Sequence, residues 1–290
     1  MMIGVFGGTG KIGGEVFKAL REKGAPFKCI VRDPAAAAEI LGDDVALTPG
    51  DLSDIDGLVA AFEGLDKVFL VCGLNPDLAR LEINAIEAAK RSGVFGIVKL
   101  SAAEPMIDAN SPTPVGRQHL AVEQALRKSG LNWTILRPTF LMQNSLSQRV
   151  RVATEHRLDM PVPPDAQVSM IDTRDIAACA AAALTEDGHD GKTYTLTGVR
   201  HSLGEAINIF SRVLGREIEY AFVPRETAIA NMARMGIPDW MREHFLGIGQ
   251  LLSEERLIEL TDDFHRITGR EPHDYASYVS NNAEAFGGKS

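Results

Sequence analysis

Short, uninterrupted apolar runs alternate with amphipathic stretches along the first half of the chain. IGVF (3–6) leads into a helical pattern over roughly 11–23, and FKCIVR (27–32) and VALT (45–48) are followed by a short helix near 54–62. KVFLVC (67–72) precedes a strong helix near 78–92, GIVKLS (96–101) a helix near 114–129, and WTILRP (133–138) closes the series. Runs that are apolar throughout, rather than at every second position, predict strands covered by helices on both faces. Six such strands with helical crossovers predict an α/β fold built on a doubly wound parallel sheet.

The rhythm changes after about residue 140. MPVPPD (160–165) predicts a loop, IDTRDIAACAAAALTE (171–186) a helix and KTYTLTG (192–198) a strand. Ser202 with Glu205 three residues on predicts a capping box opening a helix over 202–215. EIEYAFV (217–223) predicts a strand, and the remainder is mostly helical. The expected organisation is a nucleotide-binding unit over 1–150 and a smaller α/β lobe on the substrate side over 151–290, with some interleaving.

Composition narrows the function classes. The 290 residues carry a net charge of −9 and no run of Lys and Arg, which argues against a nucleic-acid partner. The three cysteines, Cys29, Cys72 and Cys179, are widely spaced in apolar surroundings, the pattern of buried thiols in a reducing compartment. Met1 runs straight into the first apolar stretch without a charged leader, and no run suits a bilayer span, so a cytoplasmic protein without membrane contact is expected. The seven histidines show no metal-ligand spacing, and no metal is expected.

GGTGKIG (7–13) sits between the first strand and the first helix, with Gly7, Gly10 and Gly13 in G-x-x-G-x-x-G register. The first glycine permits the tight turn, the second lets backbone amides approach a pyrophosphate, and the third lets helix pack on strand, as in a Rossmann-type dinucleotide site. The helix N-terminus adds unpaired donors and a positive dipole. Thr9, Lys11 and Ile12 complete the loop; Lys11 either adds charge beside the phosphates or is simply solvated. At the end of the second strand, Arg32 precedes Asp33 and Pro34, which favours the 2′-phosphate of NADP(H) over NAD(H). The plainer alternatives are a surface arginine and an aspartate capping the next helix. Asp51 and Leu52 after the third strand fall at the adenine, with capping of the helix near 54–62 as the plain role for Asp51, and Cys72, Gly73 and Leu74 after the fourth fall along the adenine–ribose face. Asp172 and Asp175, three residues apart, fit helix capping better than a catalytic carboxylate pair.

GGTGKIG, VRDP (31–34), GDLSD (50–54), VKLSA (98–102), HLAVEQAL (119–126), SGLNWTILRP (129–138) and the stretch 171–198 together resemble the NmrA-like branch of the short-chain dehydrogenase/reductase superfamily. That branch holds quinone reductases, triphenylmethane dye reductases and NADP(H)-sensing regulators. The superfamily's usual catalytic pair is Tyr-x-x-x-Lys on the helix after the fifth strand. Here the resemblance places Val115 at the tyrosine position and His119 at the lysine position, and all four tyrosines lie beyond residue 190. A ketone would need an acid for its alkoxide, whereas a quinone or cationic dye mainly needs hydride and acceptor in near-attack geometry. The resemblance assigns His119 to the nicotinamide ribose or to proton donation, with an ordinary buried or surface histidine as the plain alternative. It assigns Ser101 to the carboxamide or acceptor, and Pro138, Thr139 and Phe140 to the nicotinamide side. Phe140, which is equally suited to the core, and Asn144 would line the substrate pocket.

Two classes follow. One is an NADPH-dependent oxidoreductase acting on a small, planar or quinone-like acceptor; a homodimer is compatible with it. The other is a regulator that binds NADP(H) and engages a protein partner without turnover.

Overall fold

The computed structural model describes residues 1–42 and 44–288. Its main sheet has seven strands in the order β10-β6-β5-β4-β1-β2-β3, all paired parallel. The strands and helices of the first half are β1 Ile3–Phe6, α1 Lys11–Glu22, β2 Phe27–Val31, α2 Pro34–Leu41, β3 Leu47–Pro49, α3 Ile55–Ala61, β4 Lys67–Leu70, α4 Leu78–Ser92, β5 Gly96–Leu100, α5 Pro114–Arg127 and β6 Asn132–Pro138. The second half contributes β7 Phe140–Leu141, α6 Arg149–Glu155, β8 Arg157–Met160, β9 Gln167–Ile171, α7 Thr173–Thr185, β10 Lys192–Leu196, β11 Val199–Ser202, α8 Leu203–Leu214, β12 Glu219–Phe222, α9 Arg225–Arg234, α10 Asp239–Ser253, α11 Asp263–Thr268 and α12 Tyr275–Asn281.

Side chains alternate across each strand, and this sorts the core into layers. Val5, Val98, Leu100 and Leu136 pack with Val16 and Leu20 of α1 and Ala180 and Leu184 of α7. Phe6, Ile30, Leu70, Ile97 and Ile135 face the other way, against Leu58 of α3, Ile86 of α4 and Val122 of α5. Residues 97, 99 and 101 therefore share the face covered by α4 and α5. A third cluster, including Met142, Val168, Phe210 and Tyr278, lies beyond the sheet's carboxyl edge.

The doubly wound parallel sheet matches the sequence pattern, and the Ser202–Glu205 capping box forms in full. Two placements differ from the pattern. The strand expected near 192–198 in the smaller lobe instead pairs with β6 as the seventh strand of the main sheet, with Thr193 opposite Ile135. The helix expected beside it, α7, packs on α1 and closes the sheet's outer face. The lobe's own pairings are short: β11-β9-β7 and β12-β8. β7, β8, β9 and β11 carry no long apolar run, and each is a segment of five residues or fewer.

Candidate functional site

The glycine turn is built as its spacing requires. Gly7 adopts φ +68°, a left-handed conformation strained for other residues, and the Gly10 amide donates to the Gly7 carbonyl at 2.8 Å. A Cβ on Gly13 would overlap that same carbonyl, so only glycine lets α1 start this close to β1. Gly10 caps α1 without a side-chain bond and no acidic residue stands in the first turn, leaving the helix mouth to its own amides. Thr9, Gly10 and Lys11 are exposed, whereas Ile12 is half-buried against the core.

Along the same edge, Arg32 is exposed past β2, and its charge reaches Asp51 and Cys72. Asp33 turns away and caps α2, accepting from the Ala35 and Ala36 amides at 3.0 and 3.1 Å. Asp51 accepts from the Ser53 hydroxyl and amide, both at 2.7 Å, and these bonds, with a smaller pull from Arg32, hold its carboxyl below the usual range. Asn84 of α4 donates to the Leu52 carbonyl at 2.9 Å, tying that loop to the helix. Cys72 is half-buried, its thiol pushed up to about 11 by burial, with Gly73 and Leu74 exposed beyond it.

β5 and α5 hold the next group. His119 and Glu123, one turn apart on α5, share a face, and Lys99 and Ser101 project toward it from alternate positions of β5. Ser101 donates to Glu123 Oε1 at 2.7 Å, so its hydroxyl is left only to accept. Glu123 also takes Arg137 through two bonds, at 3.0 and 2.6 Å, and Arg127 at 2.9 Å. Burial alone would raise this carboxyl, but the bonds from Arg137 and Ser101 and the two arginine charges hold it below the ordinary range.

Lys99 is wholly buried, 2.7 Å from the equally buried Glu82 of α4. It donates to the Leu100 carbonyl and lies 3.2 Å from His119 Nδ1. Glu82 accepts the Cys72 amide at 2.9 Å through its other oxygen, and burial pushes its carboxyl up against the pull of Lys99. Burial first, then the Lys99 charge and His244, hold His119 far below the usual imidazole range, so the ring is neutral at pH 7. Val115, one turn before it, lies in the core.

The remaining expected residues spread along the path from β6. Pro138 is the last residue of β6, and the amide of buried Thr139 donates to the Leu196 carbonyl at 3.0 Å. Phe140 is half-buried against the lobe's core, whereas Asn144 is exposed. Asp172 caps α7 through the Arg174 amide, and Asp175 accepts from the His273 amide at 2.9 Å; both are structural.

Three residues escaped the sequence pattern: Lys99, Glu82 and His244. The first two left a signal, a lysine inside an otherwise apolar strand and a glutamate on the buried face of α4 beside Leu78, Ala85 and Ile86. His244 left none. It is buried on α10, close enough to His119 to act on its titration, and its own Nδ1 has no partner among the described residues.

The model of the NmrA-like family matches residues 1–271. The chain belongs to that family. An NAD(P)H azoreductase from Xenophilus azovorans is 36% identical over 287 residues, covering 99% of both chains. The NADPH-dependent quinone oxidoreductase QOR2 of Escherichia coli, solved with NADPH, superposes with a TM-score of 0.85 at 25% identity, over 97% of this chain and 99% of that one. The triphenylmethane reductase of a Citrobacter species, solved with NADP(H), superposes with a TM-score of 0.84 at 26% identity, over 97% and 100%. On these likenesses the NmrA-like chain is an oxidoreductase.

Proposed function

We propose that the protein transfers hydride from NADPH to a small, planar, conjugated acceptor of the quinone or dye class, without a tyrosine acid. The single observation that carries this reading is the α1 mouth, a glycine turn so tight that a Cβ at position 13 would overlap the Gly7 carbonyl. A diphosphate fits there on the first-turn amides of residues 11–13, with Thr9 and Lys11 at its rim. The azoreductase, quinone reductase and dye reductase relatives support the coenzyme and the acceptor class.

Arg32 is exposed with no side-chain bond among the described residues, so its guanidinium is available to a 2′-phosphate. The loop of Asp51 and Leu52 takes the adenine, and Cys72, Gly73 and Leu74 the adenine–ribose face. The bound coenzyme supplies the hydride. Ser101 can accept from its carboxamide, His119 stands at its ribose or at the acceptor, and Pro138, Thr139 and Phe140 bound the ring on the other side. Phe140 and Asn144 face the acceptor. With Val115 in the core where the superfamily's phenol would stand, the site suits acceptors that stabilise the incoming electron pair themselves.

Thermal unfolding with each coenzyme, followed by NADPH oxidation against quinones, azo compounds, cationic dyes and aldehydes, tests the reading. NADPH raises the melting temperature more than NADH. Arg32→Ala weakens NADPH binding about tenfold, the size of one charge-assisted contact, and leaves NADH binding as it was. Equal shifts in the wild type would remove the NADPH preference. Tight binding without oxidation of any acceptor would leave a coenzyme sensor instead.

A further inference from the structure

Lys99 is a donor only. Its 3.2 Å approach to His119 Nδ1 therefore makes that nitrogen the acceptor and puts the proton of the neutral ring on Nε2. Nε2 makes no hydrogen bond within the described residues, and His119 keeps 8% of its surface accessible. Behind Lys99, Glu82 supplies the counter-charge at 2.7 Å, and the Cys72 amide at the carboxyl end of β4 holds that carboxylate in place. A neutral imidazole gives up its Nε2 proton most readily when another arrives at Nδ1, and among the described residues Lys99 is the donor placed to supply it.

We propose that Glu82 and Lys99 are positioning residues that fix the His119 tautomer and feed it a proton, tuning the site to acceptors reduced at oxygen or nitrogen. The inference rests on the hydride-transfer reading above. Hydride, with its two electrons, passes to a quinone or azo acceptor, and the nicotinamide is left as its oxidised cation. The acceptor oxygen or nitrogen takes the Nε2 proton, forming an O–H or N–H bond as the His119 N–H bond breaks. Lys99 Nζ then loses a proton to Nδ1 and stands as a neutral amine beside the Glu82 carboxylate. Water restores that proton along the same path when product leaves. A cationic triarylmethane dye takes hydride at carbon, becomes neutral and needs no proton. The charges of Glu82 and Lys99 also act on the Cys72 thiol, and His244 of α10 acts on His119, but among the described residues Nδ1 is bonded to Lys99.

The tautomer is read directly in the wild type from imidazole nitrogen shifts in histidine-labelled protein, with His119→Asn supplying the assignment. A neutral ring protonated at Nε2 at pH 7 supports the inference; a proton on Nδ1, or an imidazolium, overturns it. In kinetics, Lys99→Gln lowers the ratio of azo or quinone reduction to cationic-dye reduction at least tenfold, and Glu82→Gln moves it the same way. Equal losses for dye and azo acceptors at unchanged coenzyme affinity would reduce the pair to a structural role and overturn the inference. If Lys99→Gln does not fold, Lys99→Arg takes its place: a cation without the point-donor geometry also lowers the ratio. Failure to reduce any acceptor would sink the hydride-transfer reading and proton delivery with it, while the wild-type tautomer still decides whether Lys99 and Glu82 fix the ring.

Discussion

Glu82 and Glu123 are two buried carboxylates aimed at β5 from neighbouring helices, and they have opposite fates. Glu123 is saturated: Ser101, Arg137 and Arg127 converge on it, and its carboxyl is held down. Glu82 meets one lysine and one backbone amide, its carboxyl is pushed up by burial, and the chain of contacts continues through Lys99 to a neutral ring. Charge alone does not mark a site. A carboxylate whose partners close on each other is a staple between α5 and β6, whereas one whose partners lead outward to an unfilled donor is placed for chemistry.

Breaking the staple carries the largest expected effect. Glu123→Ala leaves Arg137 without its partner beside a buried void, and should lower unfolding free energy by about 3–5 kcal/mol, read from the urea midpoint. Coenzyme selectivity should not change. A loss below about 1 kcal/mol would mean that the network is solvated in solution, and the contrast between the two carboxylates would disappear.

Gly13→Ala acts on the other end of the site. The new methyl must push against the Gly7 carbonyl, an overpacking of about 1–3 kcal/mol that spreads α1 from β1. NADPH binding, measured by calorimetry, should weaken at least tenfold, because the amides at the helix mouth no longer share one centre. Ala at the neighbouring exposed position 11 should leave binding within a few-fold, which separates mouth geometry from the charge of Lys11.

How much of this could be read from the sequence follows from how local each signal is. The glycine turn is a contact between residues six apart, so its spacing is written in one short stretch, and the strands of the main sheet are continuous apolar runs. β10 also read as a strand, but nothing in its neighbourhood said which sheet it would join; that is decided by pairing with Thr134 to Pro138, far back in the chain. The resemblance pointed to Ser101 and His119, but not to what they touch. The partner of Ser101 comes from α5, that of His119 from β5, and Glu82 from α4. The capping role that the sequence offered for Asp33 is the one the structure shows. α10 was the least legible part, since its place beside α5 depends on the close approach of Gly247 to Pro112, 135 residues back in the chain.

That approach buries His244 and sets the smallest of the expected effects. Burial holds its pKa down at about 4 from the ordinary 6.5, so the folded protein keeps the ring neutral while the unfolded chain protonates it. A depressed folded-state value contributes stability that is complete above the unfolded value and is lost as pH falls from about 6.5 toward 4. The loss attributable to His244 should reach on the order of 2 kcal/mol by about pH 5. His119 works in the same direction, and Glu82 and Asp175, both raised by burial, work against it. Those three remain in His244→Gln, so the difference between its stability–pH curve and the wild type's reports the His244 ring together with its smaller pull on His119. The variant's curve should be flatter between about pH 6.5 and 4.5 and parallel above about 7.5. Parallel curves throughout would mean that His244 is solvated. α10 would then stand away from α5, and His119 would meet water where the fold now places a second neutral ring.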